Sequence, residues 1–277
     1  MNCLNCGLET DELLSRCVNC GTFTGFPNVR LAQRPEEIEA LEDRYVRAVA
    51  NSISNGTWAI VSEFEDAVRK SSAVVSMSLE VMTLLATSTN ALYSNYELAV
   101  RAQTRRPAKP LNDQNRSAVD SKFWGVAASE IRYAALSLNG VGLDSYGMCF
   151  ALVADKFIQH RATVLEENTF PFIERIRFAD DLPLGFRSDW SNRHKVAVAK
   201  LYGEFSKKTK PGDFARILLN PGTRDSDQFI EVHIYGSFGF AAFSSISTLK
   251  PKNKRDKVLA GTIRDYTLAA GKKWVNG

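Results

Sequence analysis

Residues 229–235 read Phe229-Ile230-Glu231-Val232-His233-Ile234-Tyr235. Side chains alternate across a strand, so Ile230, Val232 and Ile234 share one face while Phe229, Glu231, His233 and Tyr235 share the other. The β-branched face is a core face. The opposite face lines up a carboxylate, an imidazole and a phenol with two aromatics. It is either a solvent-facing stripe or the floor of a cleft, and alternation alone favours the stripe because antiparallel sheets commonly wet one side.

Upstream of this strand the pattern is mixed. Candidate strands are Arg132–Leu138, Cys149–Val153, Ala162–Leu165 and Ala215–Leu219, with a helix expected from Asp189 to Phe205. Gly140-Val141-Gly142 and Tyr146-Gly147 lie in a loop between the first two strands. They lack the G-x-G-x-x-G spacing of a dinucleotide fingerprint, and the chain has no Gly-Lys-Ser/Thr phosphate loop, which sets aside Rossmann dehydrogenase, kinase and ATPase readings. Cys149, inside the apolar run Met148–Val153, is expected to be a buried small hydrophobe. His160 and His194 show no partner in sequence and are expected to have ordinary surface roles.

Further back, residues 35–104 read as helical. Pro35-Glu36-Glu37 suits a helix start, with proline early and acids in the first turn. Ile38, Leu41 and Tyr45 keep helical spacing, Asn55-Gly56 interrupts it, and Val61, Phe64 and Val68 mark a second helix. A third is expected from Ser76 to Arg101, followed by a polar linker over 102–116 containing Pro107 and Pro110.

The first twenty residues hold four of the five cysteines, as Cys3-x2-Cys6 and Cys17-x2-Cys20, with Gly7 and Gly21 directly after each pair. Two such knuckles make a closed four-thiolate site, the usual arrangement of structural zinc. Two disulfides or an iron–sulfur centre are the competing readings. With no open coordination position, such a site is structural or a docking surface. So short a segment cannot bury a core of its own, so metal binding would supply most of its folding energy.

The 277 residues are 44% apolar and 24% charged, ordinary usage for a folded chain, and the length is a loose prior for about two domains. Of the 35 Lys+Arg and 31 Asp+Glu, residues 1–34 hold three of each, residues 35–100 four and ten, and residues 101–277 the remaining 28 and 18. A basic region behind an acidic one suggests a polyanionic partner, set against plain surface charge. The densest clusters are Lys250, Lys252, Lys254, Arg255 and Lys257, and Arg101, Arg105, Arg106 and Lys109. No apolar run reaches the ~18 residues of a spanning helix, and Met1-Asn2-Cys3 opens no signal peptide. A cytoplasmic protein without membrane contact is expected.

The stretches ALSLNGVGLDSYGMCFALV (135–153), HRATVLEENTFPF (160–172) and ILLNPGTRDSDQFIEVHIYGSF (217–238) resemble the strand-and-loop skeleton of bacterial ADP-ribosyltransferase-fold proteins. The late strand, with Glu231, His233 and Gly236, is similar to the catalytic strand of toxin and phage-encoded members. Among these, RNA-modifying toxins of chaperone-dependent toxin–antitoxin phage-defence systems are the nearest in character. The resemblance spans about residues 116–250.

Together with the knuckles and the helical stretch read above, it implies an α+β chain: a four-cysteine zinc ribbon (1–28), a helical region (35–104) and, from the resemblance, an ADP-ribosyltransferase-like split β-sheet domain (116–277). It also implies an NAD-consuming transferase with Glu231 catalytic. Arg132 would anchor NAD, Tyr146 would stack on nicotinamide, with Ser137 the weaker candidate, and His233 would stand beside the cofactor. A carboxylate or Gln two residues before the glutamate marks arginine-modifying members. Phe229 stands there instead, with Gln228 one residue earlier, which argues against an arginine acceptor. RNA or single-stranded DNA then becomes the expected acceptor, and an antitoxin and a chaperone become expected partners. The rival reading is a non-enzymatic zinc-ribbon protein that binds nucleic acid or a partner; a metal-dependent nuclease is weaker, because no His/Asp cluster with ligand spacing occurs outside the knuckles.

Overall fold

The computed structural model describes residues 1–94, 118–177, 182–223 and 227–276. Two Cys-x-x-Cys turns open the chain, each followed by a β-bridge contact, Asn2 with Glu9 and Arg16 with Phe23. Gly7 (φ +71°) and Gly21 (φ +70°) close the turns in the left-handed region that glycine tolerates best. Their N–H groups donate to the carbonyls of Cys3 (2.8 Å) and Cys17 (2.9 Å).

Helices α1 (Pro27–Ala32) and α2 (Pro35–Ser54) each begin on a proline, as expected at a first helical position. Asn55-Gly56 ends α2, and α3 (Trp58–Arg69) follows. The third helix, expected from Ser76, starts later and ends sooner: of residues 76–94, only 79–87 are helical. Ser72–Met77 is strand β1, and Ser78 then caps the nine-residue α4 (Leu79–Thr87) by accepting from Val81 N. A run as short as Ala73-Val74-Val75 carries no period, so periodicity cannot tell strand from helix there. The later part of that expected helix, the 102–116 linker and the Arg101–Lys109 cluster lie outside the described residues.

Residues 118–124 are helical and lead into β2 (Ile131–Ser137), followed by β3 (Cys149–Val153), α5 (Asp155–Ile158) and β4 (Ala162–Leu165). These three strands match their expected bounds to within a residue. Next come α6 (Thr169–Arg175), β5 (Arg187–Asp189) and α7 (Arg193–Leu201). The helix expected over 189–205 is thus α7 with a 3-10 turn at each end. Where a strand was expected over 215–219, the chain forms α8 (Phe214–Leu218) and enters β6 (Leu219–Asn220) only at its last residue. Strands β7 (Gln228–Phe229), β8 (Glu231–Tyr235) and β9 (Phe243–Thr248), helix α9 (Lys254–Ala269) and strand β10 (Lys273–Asn276) complete the chain.

The strands form one eight-stranded sheet, ordered β10-β9-β3-β1-β2-β8-β4-β5, beside the small ribbon β6-β7. Only β10 and β9 run parallel; the remaining pairs are antiparallel. The split sheet that was expected is instead continuous, because β1 pairs with β3 on one side and β2 on the other. The boundary drawn between a helical region and a C-terminal domain therefore falls within a shared sheet.

Register divides the sheet's two faces. Val232 and Ile234 share one with Val75, Ala134, Leu136, Ala151 and Val164, packed under apolar residues of α2, α3, α4, α7 and α9. Cys149 is fully buried there, and desolvation pushes its thiol up to about 12. The second face carries two separate clusters. One gathers Phe123, Trp124, Ile131, Leu165 and Phe172; the other gathers Val74, Ala135, Leu143, Phe150 and Phe229.

Candidate functional site

Glu231 stands where those two clusters meet. Its neighbours across β8 are Leu165 of β4, which belongs to the first, and Ala135 of β2, which belongs to the second. The carboxylate is 5% exposed, so the expected wet stripe is a covered polar row. The cover comes from residues 118–130 and α6, whose apolar side chains fold over this face. Burying a carboxylate costs several kcal/mol unless hydrogen bonds replace water. Here Oε2 receives them: Thr169 N donates at 2.8 Å, the Thr169 hydroxyl donates, and His233 Nε2 lies 3.0 Å away. Among the described residues, Oε1 takes no hydrogen bond.

His233 is 1% exposed, with its ring enclosed by Phe123, Trp124 and Tyr133 at centroid distances of 5.8, 4.9 and 5.4 Å. Nε2 also meets the Thr169 hydroxyl at 3.0 Å. This imidazole therefore orients Glu231 rather than facing a ligand. Thr169 follows Asn168, whose side chain caps α6 by accepting from Phe170 N at 2.9 Å. The same Asn168 donates through Nδ2 to the Tyr146 hydroxyl at 3.2 Å. Tyr146, half-buried at the end of the β2–β3 loop, is thereby brought to the rim that holds Glu231. Thr169 and Asn168 were missed in the sequence, although Asn168-Thr169-Phe170-Pro171 carries an N-cap signal.

Ser137 and Arg132 have other uses. Ser137 shares the face of Glu231, but its hydroxyl closes the following turn, donating to Val141 O at 2.9 Å and accepting from Gly140 N at 3.1 Å. Arg132 pairs with Ile234 and so lies on the helix-covered face, away from Glu231. It is 1% exposed, and its nitrogens donate to Tyr93 O, Ser129 O, Ile131 O and Ser237 Oγ. The NAD-anchoring role expected of it does not fit: its guanidinium is spent on tying chain segments together.

Compared with known proteins, the chain matches no family model and no curated protein. Function must be argued from the residues themselves.

The four N-terminal cysteines come together. Cys3 and Cys20 sulfurs are 3.7 Å apart, as are those of Cys6 and Cys17, and all four lie within 4.8 Å of one another. Four thiolates about 2.3 Å from a tetrahedral zinc stand about 3.8 Å apart, so the arrangement fits zinc. The local electrostatics agree. Hydrogen bonds from the Thr22 side chain and backbone and from Asn5 bring Cys20 down to about 6, and backbone N–H groups of Cys20 and Asn19 lower Cys17. Cys6 is drawn down by Leu8 N–H, yet burial and the three other sulfurs outweigh that and take it up to about 12.

The ribbon is docked on the sheet. Asn28, fully buried, donates to Arg161 O at 3.0 Å and His233 O at 3.1 Å, bridging β4 and β8. Tyr235 donates to Ser15 Oγ at 3.1 Å, and its ring lies 5.5 Å from that of Phe26. Among the described residues no helix is long and apolar enough to cross a membrane.

Proposed function

We propose that this chain is an NAD-dependent ADP-ribosyltransferase, a toxin or phage-defence effector that transfers ADP-ribose to a nucleic-acid acceptor, RNA in preference to DNA. The observation carrying this reading is the one-sided bonding of Glu231. With Oε2 held by Thr169 and His233, the carboxylate is fixed in orientation and Oε1 is left for a substrate. In the reaction the bond between ribose C1′ and the nicotinamide nitrogen breaks, and its electron pair leaves with neutral nicotinamide. The ribose passes through an oxocarbenium-like state, which a fixed anion beside it stabilises. The acceptor nucleophile then bonds to C1′, and its proton passes to Oε1. Tyr146, on the same rim, supplies a ring for the nicotinamide. An antitoxin and a chaperone belong to this reading as partners, and zinc as a structural ion.

The test is nicotinamide release from NAD by the purified protein, alone and with cellular RNA, DNA or protein. Release stimulated by RNA and cut at least about 100-fold in Glu231→Gln is expected. Release that survives this substitution removes Glu231 from the chemistry. The second reading, a zinc-ribbon binding protein, draws on Leu4 and Val18. These occupy matching positions in the two knuckles and are 103% and 69% exposed. It gains if no NAD is consumed under any condition.

A further inference from the structure

We infer that the segment Ser206–Arg216 is the surface that grips the phosphate backbone of a single-stranded nucleic acid. A cleft of about 290 Å³ opens beside it, at the lower end of the range for small-ligand sites. Lys208 and Arg216 line it, and Lys207 and Lys210 flank it. All four are exposed, and among the described residues none forms an ion pair, unlike Arg44, Arg69, Arg175 and Lys195 elsewhere. Unpaired cations give up no partner when a phosphate arrives.

The loop is held in shape before any ligand comes. Phe205 and Phe214 anchor it, packed tilted and edge-on against Phe64 of α3 with ring centroids 4.9 and 5.5 Å away. Between them, Ser206 N donates to Thr209 Oγ1 and Lys210 N to Asp213 Oδ2, at 3.0 and 2.9 Å. Three lysines therefore project from a braced turn, which lowers the ordering cost of binding. The cleft also supplies groups that suit base edges: the amides of Asn220 and Gln228, and Glu204, a carboxylate that can accept from an exocyclic amine. It has no aromatic wall for stacking, so contacts with phosphates dominate.

The cleft's position fits an acceptor. Gln228 lines it, and Glu231 lies three residues on, at most about 10 Å of extended chain. The cluster at Lys250, Lys252, Lys254 and Lys257 is placed differently. It follows the C-terminal end of β9, whereas Gln228 precedes the N-terminal end of β8. By register these strands point the same way, so the two clusters sit at opposite ends of the sheet.

The role as acceptor surface rests on the transferase reading; the binding itself does not. The test is fluorescence anisotropy of a labelled single-stranded RNA on the full-length protein without NAD, with single-stranded DNA of the same sequence as a second arm. K207E/K208E/K210E is expected to lose at least about tenfold in affinity at fixed salt, and K250E/K252E/K254E, an equal change in charge, to lose little. The milder K207Q/K208Q/K210Q should flatten the log-affinity against log-salt slope by about 2, at ~0.7 per single-strand phosphate contact. Binding of both strands through these lysines supports the shared phosphate chemistry. Native-like binding by K207E/K208E/K210E, equal loss in both triple variants, or no binding by the native protein overturns the proposal. If native RNA binding depends on the loop while no NAD is turned over, the transferase reading fails alone.

Discussion

Strand β8 turns Val232 and Ile234 toward the helices and Glu231 and His233 toward the second layer, and both sides are equally dry. Val232 and Ile234 are fully buried, His233 is 1% exposed and Glu231 5%. They differ in what replaces water. At Val232 and Ile234 nothing needs replacing, because these two side chains bring no polar atoms. On the other side Thr169 is committed, through its N–H and its hydroxyl, to bonds that compensate a buried carboxylate and imidazole. Close by, the Trp124 indole N–H is buried without an acceptor among the described residues. An apolar core needs only matching volume, whereas a buried polar row needs partners at set distances. The row is thus where stability is spent on geometry.

The harshest way to break this contrast is to give the apolar side what the polar side has. Val232→Asp places a carboxylate in the apolar cluster packed under α7 and α3. A loss of at least about 4 kcal/mol in urea unfolding is expected, enough to leave much of the chain unfolded. A shift below about 1 kcal/mol would mean that the helix layer is far looser than its burial implies.

Removing zinc attacks the polar side from outside. A chelator should release the knuckles and, with them, the contacts of Phe26 and Ser15 with Tyr235 and of Leu13 with the Phe123 cluster. A destabilisation of about 3 kcal/mol is expected from the lost apolar burial and hydrogen bonds. Faster amide exchange should follow in β4 and β8, which Asn28 bridges, while β3 and β9 stay protected. Uniform exchange across the sheet would contradict a ribbon that braces only this edge.

These two sides were unequally legible in the sequence. The knuckles were readable because metal-ligand spacing is a local constraint, and β2, β3 and β4 because each is an apolar run bounded by turn residues. Strand β1 was not, since Ser72–Met77 is short and runs into the helix-forming Leu79–Thr87. The residues of α8 were misread for a related reason: Ala215-Arg216-Ile217-Leu218 are apolar enough for a strand, but Pro211 and Asp213 start a helix ahead of them. The alternation of β8 was correct and its solvent assignment wrong. What covers Glu231 comes from residues 118–130 and 169–175, and coverage is a long-range fact that no window around residue 231 contains. Arg132 shows the same limit, because only the register with Ile234 reveals which face it takes.

His194 is a buried polar group on the helix side, and it too was expected at the surface. It sits in α7, 3% exposed, with Nε2 3.7 Å from Glu65. Desolvation, with Arg69, Lys195 and Arg193 nearby, lowers it from 6.5 to about 4. A folded-state value below the unfolded one means that the unfolded chain takes up the proton first. The full contribution is therefore present above about pH 6.5, declines as pH falls, and is gone by about pH 4, on the order of 2 kcal/mol. Urea unfolding of native protein and His194→Gln across that window should diverge above pH 6 and converge near pH 4. Parallel curves would show that this imidazole titrates normally.

The smallest expected change in stability carries the most functional weight. In Glu231→Gln the amide oxygen can take the place of Oε2 and keep the bonds from Thr169 N and the Thr169 hydroxyl, while the new NH2 replaces the unbonded Oε1. Nothing in the fold loses a partner, so unfolding free energy should move by less than about 1 kcal/mol. The negative charge, however, is gone, and with it the stabilisation of a cationic ribose that the proposed transfer requires. Stability kept while nicotinamide release is lost would show that the polar row of β8 is maintained for chemistry. A large stability loss in the same variant would instead make Glu231 a structural anion, with its oriented carboxylate serving to hold α6 against the sheet.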